Sequence, residues 1–404
     1  MEFVVKEEFT GKSAASKPQR TVIAGQTWTR KLRCTDPACV VDHAGGEQHD
    51  FEKVEDEGEA GPEEEEEYVA PADRIVVPLD VLAPIPEKGE ECVYIVGTRG
   101  VKVTRIAGLE YLADSLQELV LRSNLIAAME GVHTLIKLTK LELYDNQIEE
   151  ISHLKSLTRI TILDLSYNAI RSMAPVACCP LLEELYLAQN KLKVIEGVTG
   201  LVHLRCLDLG ANRLRSMGGA GLETLASLQS LWLGKNKIER IEDINALPCL
   251  RQFDCQNNRL TTLVWDADES EDGAAGETED SSAVTSSRTG IADLTTLEEL
   301  YLACNALHSL HGMPQRSPLS TIDLSTNQID SLEGIHALQH VTELWMTASR
   351  LATFEDLEPL KALPELECLY LEHSPIAADF EYRMRVTAML PSLQQLDATA
   401  VSRR

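Results

Sequence analysis

The sequence contains little positive charge, few aromatic residues and no long hydrophobic run. Lysine and arginine number 37 against 64 aspartates and glutamates, which gives a formal net charge of −27. Nucleic acids and anionic membranes attract proteins through basic surfaces. A bilayer span needs about 20 consecutive apolar residues, and no stretch of the chain approaches that length. The composition therefore argues against nucleic acid and membrane as partners.

Signatures of secretion and of catalysis are also missing. The ten cysteines are not accompanied by a signal peptide, which predicts a soluble protein in a reducing, intracellular compartment. No glycine-rich phosphate loop, nucleophile elbow or HExxH sequence occurs. Nothing in the sequence marks a pair of carboxylates in a closed pocket, as acid–base catalysis would need. We therefore predict a protein that is not an enzyme and has no cofactor.

What the chain does contain is a series of asparagines at a nearly constant spacing. The intervals are 22 residues, apart from one of 24 and one of 47. The series is Asn124, Asn146, Asn168, Asn190, Asn212, Asn236, Asn258, Asn305 and Asn327. Each asparagine closes the phrase apolar-x-apolar-x-x-Asn, and a period of 2 puts both apolar side chains on one face of a short strand. A fixed period with this phrase is typical of leucine-rich repeats.

The repeat predicts an α/β solenoid, because one coil cannot bury its own apolar side and must stack on its neighbours. We expect a leucine-rich-repeat horseshoe of about 11–12 coils, with a parallel sheet on the concave face. The solenoid is predicted over 89–376 and a carboxy-terminal cap over 377–404, beginning with an amphipathic helical stretch from Phe380 to Leu390. The asparagine amides are expected to bond the backbone of neighbouring coils.

Two acidic segments interrupt or precede the repeat. Residues 265–289 explain the interval of 47 and are rich in Asp, Glu, Ser and Gly, so they are predicted to loop out as a disordered insert. Residues 1–88 contain an uninterrupted acidic run from Glu63 to Glu67 and are predicted to be a disordered tail. Because loop-closure entropy grows slowly with length, the repeat should resume directly after the insert.

The tail contains one group of metal-ligand residue types, Cys34, Cys39, His43 and His49. Four such side chains can form a tetrahedral zinc site. The central gap is much shorter than in zinc fingers, and little apolar sequence surrounds the group. An unstructured tail without metal is the preferred interpretation.

The residue between the two apolar positions of each phrase forms what we call the central column. Its members are Val120, Glu142, Asp164, Tyr186, Asp208, Trp232, Asp254, Tyr301, Asp323, Trp345 and Tyr370. Five are aromatic and five acidic in a chain that is only 5% aromatic. Stacked coils would align them at about 4.8 Å per step on the solvent-facing inner wall. Tyrosine and tryptophan dominate interface hot spots, so the column predicts a protein-binding surface.

The 22-residue repeat, LYDNQI (143–148), LGKNKI (233–238) and the ending LECLYLEHSPIAADFEYRMRVTAMLPSLQQLDAT (366–399) resemble the Sds-twenty-two family, regulatory subunit 7 of protein phosphatase 1. The resemblance covers about 90–400. It implies a non-catalytic subunit whose concave face binds the type 1 Ser/Thr phosphatase catalytic subunit, and possible association with a further phosphatase inhibitor protein. It also implies a chain that is a monomer on its own, in the nucleus and cytoplasm.

Carried over phrase by phrase, the resemblance assigns eight partner-binding residues. They are Asp164, Tyr186, Asp208, Trp232, Asp323, Glu343, Trp345 and Tyr370. The sequence departs from the family at Ser374, where an asparagine usually precedes the proline, and in the insert and the tail. The alternative interpretations are another repeat scaffold, such as a spliceosomal or axonemal subunit, and a metal-binding adaptor built on the tail.

Overall fold

The computed structural model describes residues 87–98, 101–245, 247–265 and 289–402, and the backbone of 20–23 and 75–77. Within these residues one strand from each coil joins a long sheet that does not close on itself. All neighbours in it are parallel except the last two strands. In spatial order the strands are Arg20–Ile23, Cys92–Val96, Glu118–Arg122, Lys140–Glu142, Ile162–Asp164, Glu184–Tyr186, Cys206–Asp208, Ser230–Trp232, Gln252–Asp254, Glu299–Tyr301, Thr321–Asp323, Glu343–Trp345, Cys368–Tyr370, Gln395–Leu396 and Thr399–Ala400.

Short helical turns carry the chain back from one strand to the next. The 3₁₀ helices are Glu110–Leu112, Val132–Thr134, Leu154–Ser156, Ala174–Cys178, Leu222–Thr224, Ile335–Ala337, Glu358–Ala362 and Pro375–Ala378, and the α-helices are Phe354–Leu357 and Tyr382–Met389. Leucines on the strands, such as Leu141 and Leu163, and on the turns, such as Leu154, are buried in one continuous core. The predicted solenoid with a parallel inner sheet is confirmed.

The asparagine side chains connect each coil to the one before it. Asn190 shows the pattern: its Oδ1 accepts the Ile170 N–H at 2.9 Å, and its Nδ2 donates to the Leu165 carbonyl at 3.0 Å. The same Nδ2 also donates to Leu187 O of its own coil at 3.1 Å. Each of the two carbonyls also accepts a second amide, from Asn168 and Asn212 respectively, so the asparagines of successive coils share backbone acceptors. The predicted role of the asparagines is confirmed.

The residue before each asparagine adopts a left-handed conformation. From Ser123 to Ala348, ten non-glycine residues at this position have φ between 52° and 57°. Tyr167 and Thr326 are among them, although neither residue type favours positive φ. The tight exit from the strand fixes this geometry, and the stacked coils stabilise it in place of a glycine.

Serines replace asparagine in the last two coils. The Ser349 N–H donates to Ser374 Oγ at 3.0 Å, and the two hydroxyl oxygens lie 2.9 Å apart. Ser374 Oγ in turn donates to the Met346 carbonyl at 3.3 Å. Ser374 Oγ thus keeps a bond to a carbonyl of the preceding coil, and the two serines bond each other.

The carboxy-terminal cap closes the array through Asp397. Its Oδ1 accepts the Leu371 N–H at 2.8 Å, and its Oδ2 accepts the Tyr382 hydroxyl at 3.0 Å. Tyr382 and Val386 bury one side of the helix, whereas Phe380 precedes the helix and is 96% exposed. The predicted helix from Phe380 to Leu390 therefore starts two residues too early and ends one too late.

The coils on either side of the insert are neighbours. Strand Gln252–Asp254 pairs in register with Glu299–Tyr301. Val264–Trp265 and Thr289–Gly290 form a short antiparallel pair at the base of the insert. The prediction that the repeat resumes after the insert is confirmed, and 266–288 lie outside the described residues.

Two segments of the predicted tail pair with the solenoid. Arg20–Ile23 lies parallel to Cys92–Val96, and Ile75–Val77 lies parallel to Val101–Val103. The remainder of 1–86, with the four candidate zinc ligands, lies outside the described residues, so the disordered tail and the absence of metal there stay predictions.

Candidate protein-binding surface

The members of the central column lie side by side across the sheet, each paired in register with the next. Glu142 pairs with Asp164, Asp208 with Trp232 and Asp323 with Trp345. The remaining steps keep the same register. From Asp164 to Trp345 acidic and aromatic residues alternate strictly along the inner wall.

A second column, here the flanking column, runs parallel to the first. It consists of the residues two positions earlier on each strand, which share the same face because strand side chains alternate. From Glu118 onward its members are Lys140, Ile162, Glu184, Cys206, Ser230, Gln252, Glu299, Thr321, Glu343, Cys368 and Gln395. Sequence reasoning singled out only Glu343, although the period-2 rule that located the central column also defines this one.

Four of the five aromatic side chains of the central column form two pairs, and all four rings are half-buried. The Trp232 and Tyr301 rings are stacked, with centroids 6.4 Å apart and planes at 17°. Trp345 and Tyr370 meet edge to face at 5.8 Å. The Trp345 indole N–H is buried and has no acceptor among the described residues. Each pair presents a broad apolar surface in a fixed orientation.

The tyrosine hydroxyls are held by side chains of the flanking column. Tyr186 donates to Glu184 at 3.0 Å and Tyr301 donates to Glu299 at 2.9 Å. Burial, together with the neighbouring negative charge, holds the pKa of both phenols well above the usual range. The tyrosines therefore act as neutral donors, and their rings are oriented before any partner arrives.

The aspartates of the central column have a structural role that sequence reasoning missed. Each accepts the backbone N–H two residues further on: Asp164 from Ser166 at 3.0 Å, Asp208 from Gly210 at 2.9 Å, Asp254 from Gln256 at 2.8 Å and Asp323 from Ser325 at 2.9 Å. This is the local turn that aspartate side chains commonly form with their own backbone. Aspartate at this position stabilises the exit from the strand as well as adding negative charge.

The expectation that the whole column faces solvent is wrong at four positions. Val120, Glu142, Asp164 and Asp254 are buried, and the three acidic side chains are only 3%, 8% and 6% exposed. At Asp164 and Asp254 the bond to the second following N–H draws the carboxylate towards the backbone. The strand of Asp254 lies between those of Trp232 and Tyr301, and the stacked rings of these two residues approach each other over the Asp254 side chain.

Burial changes the proton affinity of these carboxylates. Removal from water raises the pKa of Asp254 to about 6, with smaller contributions from the negative charges of Asp208 and Asp323. Hydrogen bonds from Gln256 oppose the shift. Burial also raises the pKa of Asp164 and of Asp323. Ionised carboxylates in this environment favour a cationic group that replaces the lost water.

The amino-terminal end of the column is neutralised internally. Glu142 forms ion pairs with Arg122 at 2.6 Å and with Lys140 at 2.8 Å. Arg122 also lies over the Tyr144 ring, 5.7 Å from its centroid. The buried charge of Glu142 is therefore compensated within the protein.

The described residues contain no group of histidine, cysteine and acidic side chains arranged to hold a metal ion. The cysteines they contain are free thiols, and those of Cys179 and Cys255 are buried, which raises the thiol pKa. Across the same part of the chain, no helix has the length and hydropathy required to cross a membrane.

Comparison with known proteins defines the class. Family models described as leucine-rich repeats match residues 136–192, 226–267 and 290–404. A Leptospira interrogans leucine-rich-repeat protein has a similar structure over 75% of this chain and 78% of its own, with a TM-score of 0.55 and 20% identity. The plant peptide hormone receptor RGFR1 gives a TM-score of 0.52 over 70% of this chain and 44% of its own, at 23% identity. The chain has the leucine-rich-repeat fold.

Among curated proteins the similarity is narrower and more specific. Human protein phosphatase 1 regulatory subunit 7 is 45% identical over 51 residues, which are 13% of this chain and 14% of that protein. The Dictyostelium discoideum protein phosphatase 1 regulatory subunit pprA is 36% identical over 66 residues, 16% of this chain and 19% of that protein. Human cilia- and flagella-associated protein 410 is 34% identical over 86 residues, 21% of this chain and 34% of that protein. The matches thus span well under half the length of these relatives.

Proposed function

We propose that this protein is a non-catalytic regulatory subunit of a type 1 Ser/Thr protein phosphatase. It binds the catalytic subunit in its concave face and controls the assembly, activity or delivery of the enzyme. The observation that carries the proposal is the strict alternation of acidic and aromatic side chains from Asp164 to Trp345, aligned strand by strand. The relatives named as phosphatase 1 regulatory subunits support it.

The proposed contact residues lie in both columns. They are Asp164, Tyr186, Asp208, Trp232, Asp323, Glu343, Trp345 and Tyr370. Trp232 and the Trp345–Tyr370 pair are the anchors, since large half-buried rings at the centre of an interface contribute most of its binding energy. The carboxylates between them receive arginine or lysine side chains of the partner, because buried negative charge gains most from a desolvated cation.

Trp345 is well suited to lie at the centre of the proposed interface. Its unpaired indole N–H costs about 1–3 kcal/mol in the free protein. A small rotation of the ring on binding would bring this N–H to an acceptor on the partner. Glu343 precedes it on the same strand and face, so an apolar contact and a charged contact occur within one strand.

The first test replaces the two tryptophans of the central column. Trp232→Ala combined with Trp345→Ala should reduce capture of the phosphatase catalytic subunit at least about 30-fold, since the loss of even one such anchor typically costs about 2 kcal/mol. Affinity is measured by surface plasmon resonance, and folding by circular dichroism and thermal melting. The matched control is Phe380→Ala with Met384→Ala, which removes two exposed apolar side chains from the cap and should leave capture unchanged.

A second arm tests charge. Glu343→Lys should weaken capture because it places a cation against the partner's cations, whereas Glu333→Lys on an exposed loop should not. Full-strength capture by a folded double tryptophan variant would refute the concave surface as the binding site. Association with a phosphatase inhibitor protein, a monomeric free state and a nuclear and cytoplasmic location belong to the same proposal.

A second candidate function is a leucine-rich-repeat scaffold of the cilium or flagellum. The match to cilia- and flagella-associated protein 410 is longer than the phosphatase matches, though less identical. It predicts that the protein co-purifies with axonemal components and that the catalytic subunit does not bind it directly. Affinity purification followed by mass spectrometry separates the two proposals.

A further inference from the structure

Eight basic side chains are concentrated at one rim of the solenoid, where the chain leaves the strands. They occupy the positions one before, one after and three after the asparagine in five consecutive coils, Asn168 to Asn258. We call this set the basic rim: Arg171, Lys191, Lys193, Arg213, Arg215, Lys235, Lys237 and Arg259. Arg171, Lys193, Arg215, Lys235 and Arg259 are exposed, and the other three are half-buried.

This concentration stands out against the composition. Eight of these fifteen positions are basic and only Glu239 is acidic, although lysine and arginine make up 37 of 404 residues. The equivalent positions of the other coils, those with Asn124, Asn146, Asn305, Asn327, Ser349 and Ser374, hold one basic residue and three acidic ones. The positive charge is thus a local feature of five coils in a strongly acidic chain, and the repeat itself does not require it.

Backbone bonds between coils fix the spacing of the basic rim. The residue after each asparagine donates its N–H to the preceding coil: Lys191 to Ile170 at 2.9 Å, Arg213 to Leu192 at 2.8 Å, Lys237 to Leu214 at 2.8 Å and Arg259 to Ile238 at 2.9 Å. Neighbouring rungs of a sheet lie about 4.8 Å apart. The backbones of these four residues therefore lie on successive coils with a regular step.

Acidic side chains also lie near the basic rim. Glu239 lies 4.0 Å from Arg259. Glu196 accepts the Ser172 hydroxyl at 2.5 Å, and Glu242 accepts the Ser216 hydroxyl at 3.0 Å and the Gly218 N–H at 3.1 Å. The fifteen positions themselves carry eight basic residues and one acidic residue, so the basic rim as a whole is positive.

We propose that the basic rim binds a short, extended acidic segment of a partner protein. The basic rim spans five coils, about 19 Å from first to last, which accommodates roughly six residues of extended peptide. Carboxylates on alternate residues of such a peptide recur about every 6.6–7 Å, and long, mobile Lys and Arg side chains can follow that spacing. A nucleic acid duplex would extend beyond the basic rim onto acidic surface, which favours a short peptide.

The test uses a fluorescein-labelled hexaglutamate peptide as the probe and the full chain. Fluorescence anisotropy should show saturable binding that weakens as salt increases from 50 to 300 mM, because paired exposed charges are screened. The variant Lys193→Glu, Arg215→Glu, Lys237→Glu should weaken binding at least tenfold. A hexaglutamine peptide should not bind.

The matched control changes charge by the same amount elsewhere. Lys155→Glu, Arg159→Glu, Arg316→Glu, all at exposed positions outside the basic rim, should alter the dissociation constant less than twofold. Equal losses in the two triple variants, with both melting normally, would overturn the proposal by showing only a net-charge effect. Tighter binding of a ten-nucleotide single-stranded RNA than of hexaglutamate would also overturn it.

The proposal is independent of the phosphatase proposal. The Trp232→Ala, Trp345→Ala variant should bind hexaglutamate normally, and the basic-rim triple variant should still capture the catalytic subunit. Loss of peptide binding in the tryptophan variant would place the peptide on the concave face and overturn the assignment to the basic rim.

Discussion

At the scale of single residues, the structural roles of the asparagines and leucines could be predicted from the sequence. The backbone conformation of the residue before each asparagine could not. The spacing of the asparagines located every regular coil, since a buried amide must bond its neighbours to be tolerated. The left-handed residue before each asparagine carried no signal, because types as different as Tyr167, Ala211 and Thr326 occupy it. At this position the stacked coils impose a positive φ whatever conformation the residue type prefers.

The asparagine bonds predict a large local effect on stability. Asn190→Ala would leave the Ile170 N–H without its acceptor, whereas the Leu165 carbonyl would keep the bond that Asn168 Nδ2 donates at 3.0 Å. At about 1–3 kcal/mol for a stranded group, unfolding free energy should fall by roughly that amount, with phosphatase capture lost only as a consequence. Urea unfolding followed by circular dichroism measures the change.

The control for this prediction is Gln315→Ala, an exposed side chain between two strands, which should change stability by less than about 0.5 kcal/mol. A stable Asn190→Ala variant would mean that water replaces the lost bonds, so that the asparagine series would not be what holds neighbouring coils together.

At the scale of elements, the strand positions followed from the period, but the environment of their side chains did not. The sequence placed Asp164 and Asp254 in the central column correctly and gave them the wrong exposure. Their burial depends on a turn to the second following residue and on the packing of rings from adjacent strands. Both are contacts in three dimensions that a one-dimensional pattern does not encode.

The antiparallel pair at the base of the insert predicts that the insert can be replaced. Substituting 266–288 by Asn-Gly would join Val264–Trp265 to Thr289–Gly290 through a two-residue turn of the type that favours hairpins. The melting temperature should stay within about 3 °C of the parent protein, because long surface loops contribute little to stability. Differential scanning calorimetry measures it. A fall of 10 °C or more would show that the insert packs against the solenoid.

At the scale of the molecule, the fold class and the cap were predictable because they depend on repetition and on its end. The cap region was recognised from its sequence, although the bonds of Asp397 and Tyr382 that hold it in place were not. At Ser374, where the sequence departs from the family, a hydroxyl still bonds the preceding coil through the Met346 carbonyl and Ser349.

Global stability should depend on pH through the buried carboxylates. The pKa of Asp254 is about 6 in the folded protein against an ordinary value of 3.8. Between these values the folded state binds more protons than the unfolded state, so stability should fall as pH rises from about 4 to 6. Asp254→Asn should remove this part of the slope and add about 1–3 kcal/mol at pH 7.

Urea midpoints between pH 4 and 7.5 check this prediction. The exposed Asp330→Asn change is the control and should leave the slope intact. An unchanged slope in Asp254→Asn would mean that the carboxyl is ionised throughout and that its burial is offset by bonds already present.

The coils that carry the basic rim also carry Asp208 and Asp254 on the inner wall. Opposite charges on adjoining faces of one rigid block give this part of the molecule an electric dipole across its width. Its field extends about 8–10 Å into solution at physiological ionic strength, which is enough to rotate an approaching protein before contact. Ionic strength should then govern how fast partners arrive, while the buried aromatic rings govern how long they stay.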